Sequence, residues 1–564
     1  MIALLRNLGL VTHANTPDMI HQIGRALKDP LGQSPYDYDS VFSHFTHDSK
    51  TNGRGAAAGL YAPEELALDL PRILFMLNGF YGTISSYGFN SRYGFGSGWS
   101  GILSWNPIAG ATGPEVVDEL STLLTAGRLS EDNRNIIEQA YTQKSSTGLG
   151  GAKTLAMQLI ASSPEFHTTN QVVTKSGEDR GTSSDNVEDT QSGTAASDYK
   201  AIIYLDLAGG VDSYNMLVPM KCDGTNTFDL KYNMTVDKQY DAIRGIIALN
   251  KATLHQIDSG GNQPCSEFGL HHRLTKLADL YRNEEALFFA NVGYMTDPDW
   301  KRTKGLTFGH SAQMTNIAQN NVGDAYVDTG GMYFFVLLQP IASFNFPNAS
   351  YSLVIFTVLG RIRDTVLTGR KTSAIHVANG YRVLQGVKGV SSGSVAVSVD
   401  GISPFPLHTS DPSFLSQVNS LNNATMPDSG FMAETWASNL HNTFGVLDEL
   451  GIVEEINTVT PFPVTFDKEE NQLAAQLKMV SRLQQAALQR GVSRDLYSVG
   501  YGSWDHHGGV LEPQDAMFKK VDEALGAYVA EAKAIGVWES TVLVQTSEFG
   551  RTLYPNGNAG TDHG

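Results

Sequence analysis

The chain has 564 residues, of which 41% are hydrophobic and 17% charged, and its formal net charge is −18. That length exceeds one ordinary domain, and the composition is that of a globular protein with ample core. The negative balance argues against nucleic acid and anionic membrane as partners, and it repels an anionic substrate unless a metal ion or an arginine reverses the local field.

Residues 1–168 read as mainly helical. The N-terminus, Met1-Ile2-Ala3-Leu4-Leu5-Arg6, lacks the apolar core of a signal peptide and reads as the middle of a helix. An amphipathic helix runs through Glu115–Leu124 and ends at Gly127, a C′ glycine. Ser130, followed by Glu131 and Asp132, caps the next, whose inner face carries Ile136, Ile137 and Ala140. A third, marked by Leu155, Leu159 and Ile160, stops before Pro164. The segment 169–198 is a polar linker with too little apolar surface to offset its ordering entropy, which predicts disorder.

From 199 to 564 apolar runs alternate with helical patterns. Strands are expected at Ala201–Leu207, Ala286–Val292, Thr372–Val377, Leu496–Gly500 and Ser540–Gln545. Helices are expected at 272–281, 471–490 and 514–535. This alternation predicts an α/β fold, a mostly parallel sheet covered on both faces. The stretch from Thr329 to Gly360 contains no charged residue and has an apolar centre, Met332–Leu338. Gln339, Pro340, Ser343, Asn345 and Pro347 interrupt it, so no membrane span is expected. A buried strand pair and an insertion over 331–357 foreign to the fold are the readings left. Cys222 and Cys265 read first as unpaired thiols, with a disulfide as the other reading.

Chemistry-bearing residues collect just past the strands. Open α/β sheets place ligands outside the carboxyl ends of their strands. Asp212 follows Gly209-Gly210, where glycine permits a tight turn. It reads either as a metal-facing carboxylate or as a turn or cap aspartate. Asp206, within the strand, reads as structural. Asp505, His506 and His507 precede Gly508-Gly509, and an Asp and a His two apart can share one ion if the backbone turns there. Carboxylate with neutral imidazole suits zinc, manganese or iron. Glu548 and Arg551 flank Gly550. The carboxylate can ligate metal and the guanidinium can grip a phosphate or sulfate, or the two can simply pair. Asp562 and His563 complete the set. There is no GxSxG elbow and no Walker loop; Ser311, after Gly309-His310, is the candidate nucleophile, with Thr307 competing and helix capping as the bland reading for both.

Leu207-Ala208-Gly209-Gly210-Val211-Asp212, Gly269-Leu270-His271, Trp504-Asp505-His506-His507, Ser547-Glu548-Phe549-Gly550-Arg551-Thr552 and Gly560-Thr561-Asp562-His563-Gly564 together resemble the family called domain of unknown function 1501. That family belongs to the alkaline-phosphatase-like (sulfatase-like) superfamily. The N-terminal motifs Leu31-Gly32-Gln33-Ser34-Pro35, Thr125-Ala126-Gly127-Arg128-Leu129 and Ser162-Ser163-Pro164-Glu165-Phe166 resemble the C-terminal part of a second family, domain of unknown function 1800. The first resemblance implies a three-layer α/β/α sandwich, which should continue past Gly564. It also implies one or two divalent metal ions and hydrolysis of a phosphate or sulfate ester, of a small molecule or a polymer. Asp212, Asp505, His507, Glu548, Asp562 and His563 would be ligands and Arg551 would bind the ester. Members of the family are often exported. Two departures stand out: Gly309 occupies the position of the family's serine, and His506 that of a threonine. They keep a second function in view, a non-catalytic binding or surface-assembly protein on the same scaffold.

Overall fold

The structure is a computed structural model. It describes residues 6–12, 73, 76–77, 80–81, 84, 101–169, 199–222, 236–260, 265–289, 334–337, 372–377, 394–397, 412–423, 432–437, 439–441, 444, 453, 456–459 and 470–564. The expected linker, 169–198, falls outside them except for its first residue. The chain divides into two compact units.

The first unit takes Met1–Glu188, Lys388–Val395 and Ile402–Leu450, so a late segment joins the N-terminal helices that the sequence had ended at 168. A short antiparallel pair, β1 (Leu10–Thr12) and β2 (Gly101–Leu103), precedes three helices. These are α1 (Gly113–Thr125), α2 (Glu131–Ser145) and α3 (Leu149–Ser162). The Thr112 amide donates to Glu115 Oε2 at 2.7 Å to start α1. Ala126 (φ 54°) ends it in the left-handed region, with Gly127 (φ 73°) following. Ser130 Oγ accepts the Asn133 amide at 3.4 Å and caps α2. Leu120, Ile137 and Leu159 are fully buried with Trp436. The helix Pro412–Asn423 is tied to the end of α3, because Asn422 Nδ2 and Trp436 Nε1 both donate to the Ser162 carbonyl, at 3.2 and 3.1 Å.

The second unit, Asp189–Val387, Ala396–Gly401 and Gly451–Gly564, is mixed α/β. Four parallel strands form its centre in the order β9 (Thr372–Val377), β11 (Arg494–Gly500), β3 (Lys200–Leu207) and β12 (Thr541–Ser547). Continuous apolar runs suit such strands, because helices cover both faces of a parallel sheet; Ile203, Leu205 and Leu543 are fully buried. Beyond β12 the sheet turns antiparallel, through β8 (Phe334–Leu337) and then β7 (Leu287–Phe289). Residues 334–337, within the charge-free stretch, are thus a strand of this sheet. At the far edge β10 (Ser394–Val397) follows β9.

The helices of this unit are α4 (Val236–Arg244), α5 (Thr275–Arg282), α6 (Gln472–Gln485) and α7 (Leu511–Ala534). A separate antiparallel sheet has the order β4 (Leu217–Cys222), β6 (Cys265–Leu270), β5 (His255–Asp258). The register of β4 and β6 sets Cys222 opposite Cys265, and the two form a disulfide, which corrects the free-thiol reading. No helix among the described residues is long and apolar enough to cross a membrane.

A buried polar knot fixes the amino ends of the central strands. Asp495 Oδ2 accepts from Arg490 Nη2 at 2.7 Å, Tyr199 at 2.7 Å and Tyr497 at 2.6 Å, and Oδ1 accepts from Ser373 at 2.8 Å. A buried carboxylate so fully satisfied locks register among three strands at the end away from the predicted site.

Candidate functional site

Because β3, β11 and β12 run parallel, their carboxyl ends share one edge, and the loops that follow are stitched together there. The ladder continues past the strands: the Tyr501 amide donates to the Asp206 carbonyl at 2.8 Å and the Trp504 amide to that of Ala208 at 3.2 Å. Gly209 (φ 108°) lies so close to the next loop that a Cβ would sit 2.8 Å from the Asp505 nitrogen. Glycine is needed for both reasons, the dihedral and the approach. The last loop closes over the second. Thr561 N donates to the His506 carbonyl at 3.2 Å, and Gly509 N to that of Asn558 at 3.0 Å.

This stitching brings Asp505, His507 and His563 together. Asp505 Oδ1 lies 3.0 Å from His507 Nε2 and 3.1 Å from His563 Nε2. The two imidazole nitrogens are 3.2 Å apart. Asp562 stands one bond further out, its Oδ1 3.0 Å from His507 Nδ1 and 3.1 Å from Asn556 Nδ2. The His563 ring packs on Phe549, with centroids 4.2 Å apart. Partial burial works to raise the Asp505 carboxyl. The hydrogen bond and charge of Arg551, with His563 and His507, overcome it and hold the group at about 2. Asn556 and then His507 hold the Asp562 carboxyl below the usual range. Burial, helped by the Arg551 charge, pushes the His506 imidazole down.

The other predicted residues are placed differently. Asp212 is buried and paired with Arg244 of α4, a partner 32 residues away that no motif announced. Burial raises its carboxyl against the opposing pull of Arg244. Glu548 Oε2 accepts the Gly209 amide at 2.8 Å, and the side chain is buried. Arg551 does reach Asp505, but its guanidinium is spent on the fold. Nε donates to the Gly210 carbonyl at 2.7 Å, Nη1 to that of Thr561 at 2.8 Å, and Nη2 to that of Gly209 at 2.6 Å. Its side chain is 1% exposed, so it presents no free edge to an incoming anion. Ser311 and Thr307 lie outside the described residues.

Two further groups stand out in the structure. Asp206, taken as structural, is a buried carboxyl pushed up to about 7 by burial and by the Glu548 charge. Its position, on a strand among apolar neighbours, was the available signal. A second set, His271, His272 and Asp515, also gathers donor atoms. There Asp515 is held by Arg273 Nε at 2.8 Å and His272 Nε2 at 2.7 Å, and the His271 ring stacks on that of His272. Burial, then the neighbouring His272, pushes His271 down to about 3.

The first cluster gathers side chains that could hold a cation. His507 meets a carboxylate oxygen on each side, Asp562 Oδ1 at Nδ1 and Asp505 Oδ1 at Nε2, both at 3.0 Å. The carboxylate oxygen and two imidazole nitrogens, 3.0–3.2 Å apart, are joined by hydrogen bonds where a ring nitrogen carries a proton, and the same three atoms could share a metal ion. The donor set fits a divalent ion of the zinc or manganese kind.

No solved structure and no curated protein matches the chain. Residues 467–564, which carry Asp505, His507, Glu548, Arg551, Asp562 and His563, match the family described as Protein of unknown function (DUF1501).

Proposed function

We propose that the chain is a metal-dependent hydrolase of phosphate or sulfate esters, with the ion held by Asp505, His507 and His563. The observation that carries this reading is the meeting of those three side chains at one point. Separations of 3.0, 3.1 and 3.2 Å suit neighbouring ligands of an ion about 2.1 Å from each. A bound divalent ion would polarise the ester oxygen and lower the pKa of an attacking hydroxyl or water, contributions of several kcal/mol. The chain's own residues would do the rest. Arg551 fixes Asp505, Phe549 backs His563, and Asp562 braces the outer edge of His507. The alkaline-phosphatase-like sandwich is part of this proposal, supported by the parallel centre of the sheet and the placement of the cluster at the strand ends. The Cys222–Cys265 disulfide supports an exported protein in an oxidising compartment.

The second reading, a non-catalytic scaffold, is favoured by one observation, the full engagement of Arg551 within the fold. Elemental analysis of protein purified without chelator separates the two, together with hydrolysis of p-nitrophenyl phosphate and sulfate. The hydrolase reading expects about one divalent ion per chain, and loss of both ion and turnover in His507→Ala. Bound metal with no turnover on any ester would select the scaffold. Protein that binds no zinc or manganese defeats the metal reading.

A further inference from the structure

We infer that Ser503 is the nucleophile of this site, the hydroxyl that attacks the phosphorus or sulfur of the ester. The inference rests on the hydrolase reading and supplies the attacking group which that reading leaves unnamed, Ser311 lying outside the described residues.

The backbone singles Ser503 out. Tyr501 N donates to the Asp206 carbonyl at 2.8 Å, Ala208 N to that of Tyr501 at 3.2 Å, and Trp504 N to that of Ala208 at 3.2 Å. A regular parallel ladder would take its next donor two residues after Tyr501, at Ser503. Here the donor is Trp504, so one extra residue is looped out as a bulge. Ser503 sits in it at φ 74°, in the left-handed region that a residue with a Cβ avoids. Ala126 and Glu284 share that sign of φ, but they follow helix ends, where it is routine; Ser503 follows a strand. The angle is held from both sides. Trp504 is 1% exposed, and its Nε1 donates across the bulge to the Tyr501 carbonyl at 2.8 Å. Strain fixed in this way by its surroundings collects at functional sites.

A bulge made only to turn Trp504 into the core would be served by glycine, which adopts this angle freely. The chain instead places a hydroxyl there, exposed and two residues before Asp505. Connectivity alone keeps its Cα within about 7 Å of that of Asp505. A Cβ on the neighbouring Gly502 would meet nothing within 4 Å, so the space beside Ser503 is open to a substrate. A strained turn at a strand end is a known way to expose a nucleophilic serine. The chemistry has two steps. First the Oγ–P bond forms, the bond from phosphorus to the alcohol oxygen breaks, and the serine proton reaches the departing alcohol through solvent. Water then attacks the phosphoserine: a new O–P bond forms, the Oγ–P bond breaks, one water proton returns to Oγ and inorganic phosphate leaves. A sulfate ester follows the same two exchanges at sulfur.

Ser503→Gly and Ser503→Asn test this with little risk to folding, because both residues accept a left-handed backbone; neither should unfold earlier in urea than wild type. The full chain, supplied with zinc(II) or manganese(II), is given p-nitrophenyl phosphate or sulfate, quenched in acid and digested for mass spectrometry. The wild type should carry a phosphoryl or sulfuryl group on Ser503. Both variants should lose that label and at least about 1,000-fold in kcat, while taking up metal as the wild type does. Metal lost together with turnover would make Ser503 a structural prop and overturn the inference. Wild-type turnover in the variants, or a label on a different residue, would overturn it and leave the hydrolase reading standing. A metal-loaded wild type that neither turns over nor takes the label defeats both.

Discussion

Replacing Asp206 with asparagine should remove a defined piece of the protein's pH dependence. Asp206 lies on β3, flanked by Gly500 of β11 and Thr546 of β12. It is 6% exposed, and its Oδ1 has no hydrogen-bond partner. Burial, then the charge of Glu548, raises its carboxyl from 3.8 to about 7. The folded chain therefore holds this proton up to about pH 7, whereas the unfolded chain releases it near pH 3.9. Between those limits the native state binds more protons than the unfolded state, so stability from this group is present at low pH and falls as pH rises. A shift of about three units corresponds to about 4 kcal/mol, lost in full above pH 7. Asparagine keeps the shape and cannot ionise. Urea unfolding of both proteins, followed by tryptophan fluorescence at pH 5, 7 and 8.5, isolates the effect, because other groups cancel in the difference. The variant should gain about 3 kcal/mol relative to wild type between pH 5 and pH 8.5, where it should be the more stable by about 2–4 kcal/mol, the lower figure allowing for an amide that gains no new partner. A difference that does not change with pH would refute the reasoning, as would a variant weaker than wild type at pH 8.5.

Gly209→Ala should damage fold and site together. Its φ of 108° is strained for alanine, and the added Cβ would lie 2.8 and 2.9 Å from the backbone nitrogens of Asp505 and Trp504, which cannot swing aside. We expect a loss of at least about 2 kcal/mol in urea unfolding and reduced metal uptake; wild-type values for both would show that the loops are not held at this point. Unreduced, unfolded protein should show no free thiol to a thiol reagent, and Cys222→Ser with Cys265→Ser should cost about 4 kcal/mol for a closed loop of 43 residues. Two titrating thiols in the unreduced wild type would refute the pairing.

Sequence reading found the elements better than the partners. The apolar runs of β3, β9, β11 and β12 and the cap at Ser130 are local signals, and the structure places them with boundaries shifted by a residue or two. Asp505, His507 and His563 were also legible, because each follows a strand end or closes a glycine-rich turn. Asp212 and Glu548 carry the same chemistry at equivalent strand ends, yet Arg244 and the Gly209 amide hold them. Nothing in the spacing distinguishes a carboxylate that meets an imidazole from one that meets a guanidinium supplied by a distant helix. The disulfide fails for the same reason. Cys222 and Cys265 become neighbours through the β4/β6 register, which no periodicity of either strand announces.

Arg551 limits the chemistry that the site can perform. Asp505 Oδ1 is approached at once by Arg551, His507 and His563, so the arginine draws on the very oxygen that an ion would use. Its remaining N–H groups close the turns at Gly209, Gly210 and Thr561. A guanidinium so committed sets the positions of three loops and lowers the negative charge of the cluster, which eases the approach of an anionic ester without touching it. Under the hydrolase proposal, direct neutralisation of such a substrate would have to come from the ion itself. The Asp505 cluster is in that case electrostatically self-sufficient once loaded, and without a cation the assembly works against binding an anion. Metal uptake, rather than the arginine, is what would convert this edge of an acidic protein into a place where a phosphate or sulfate can settle.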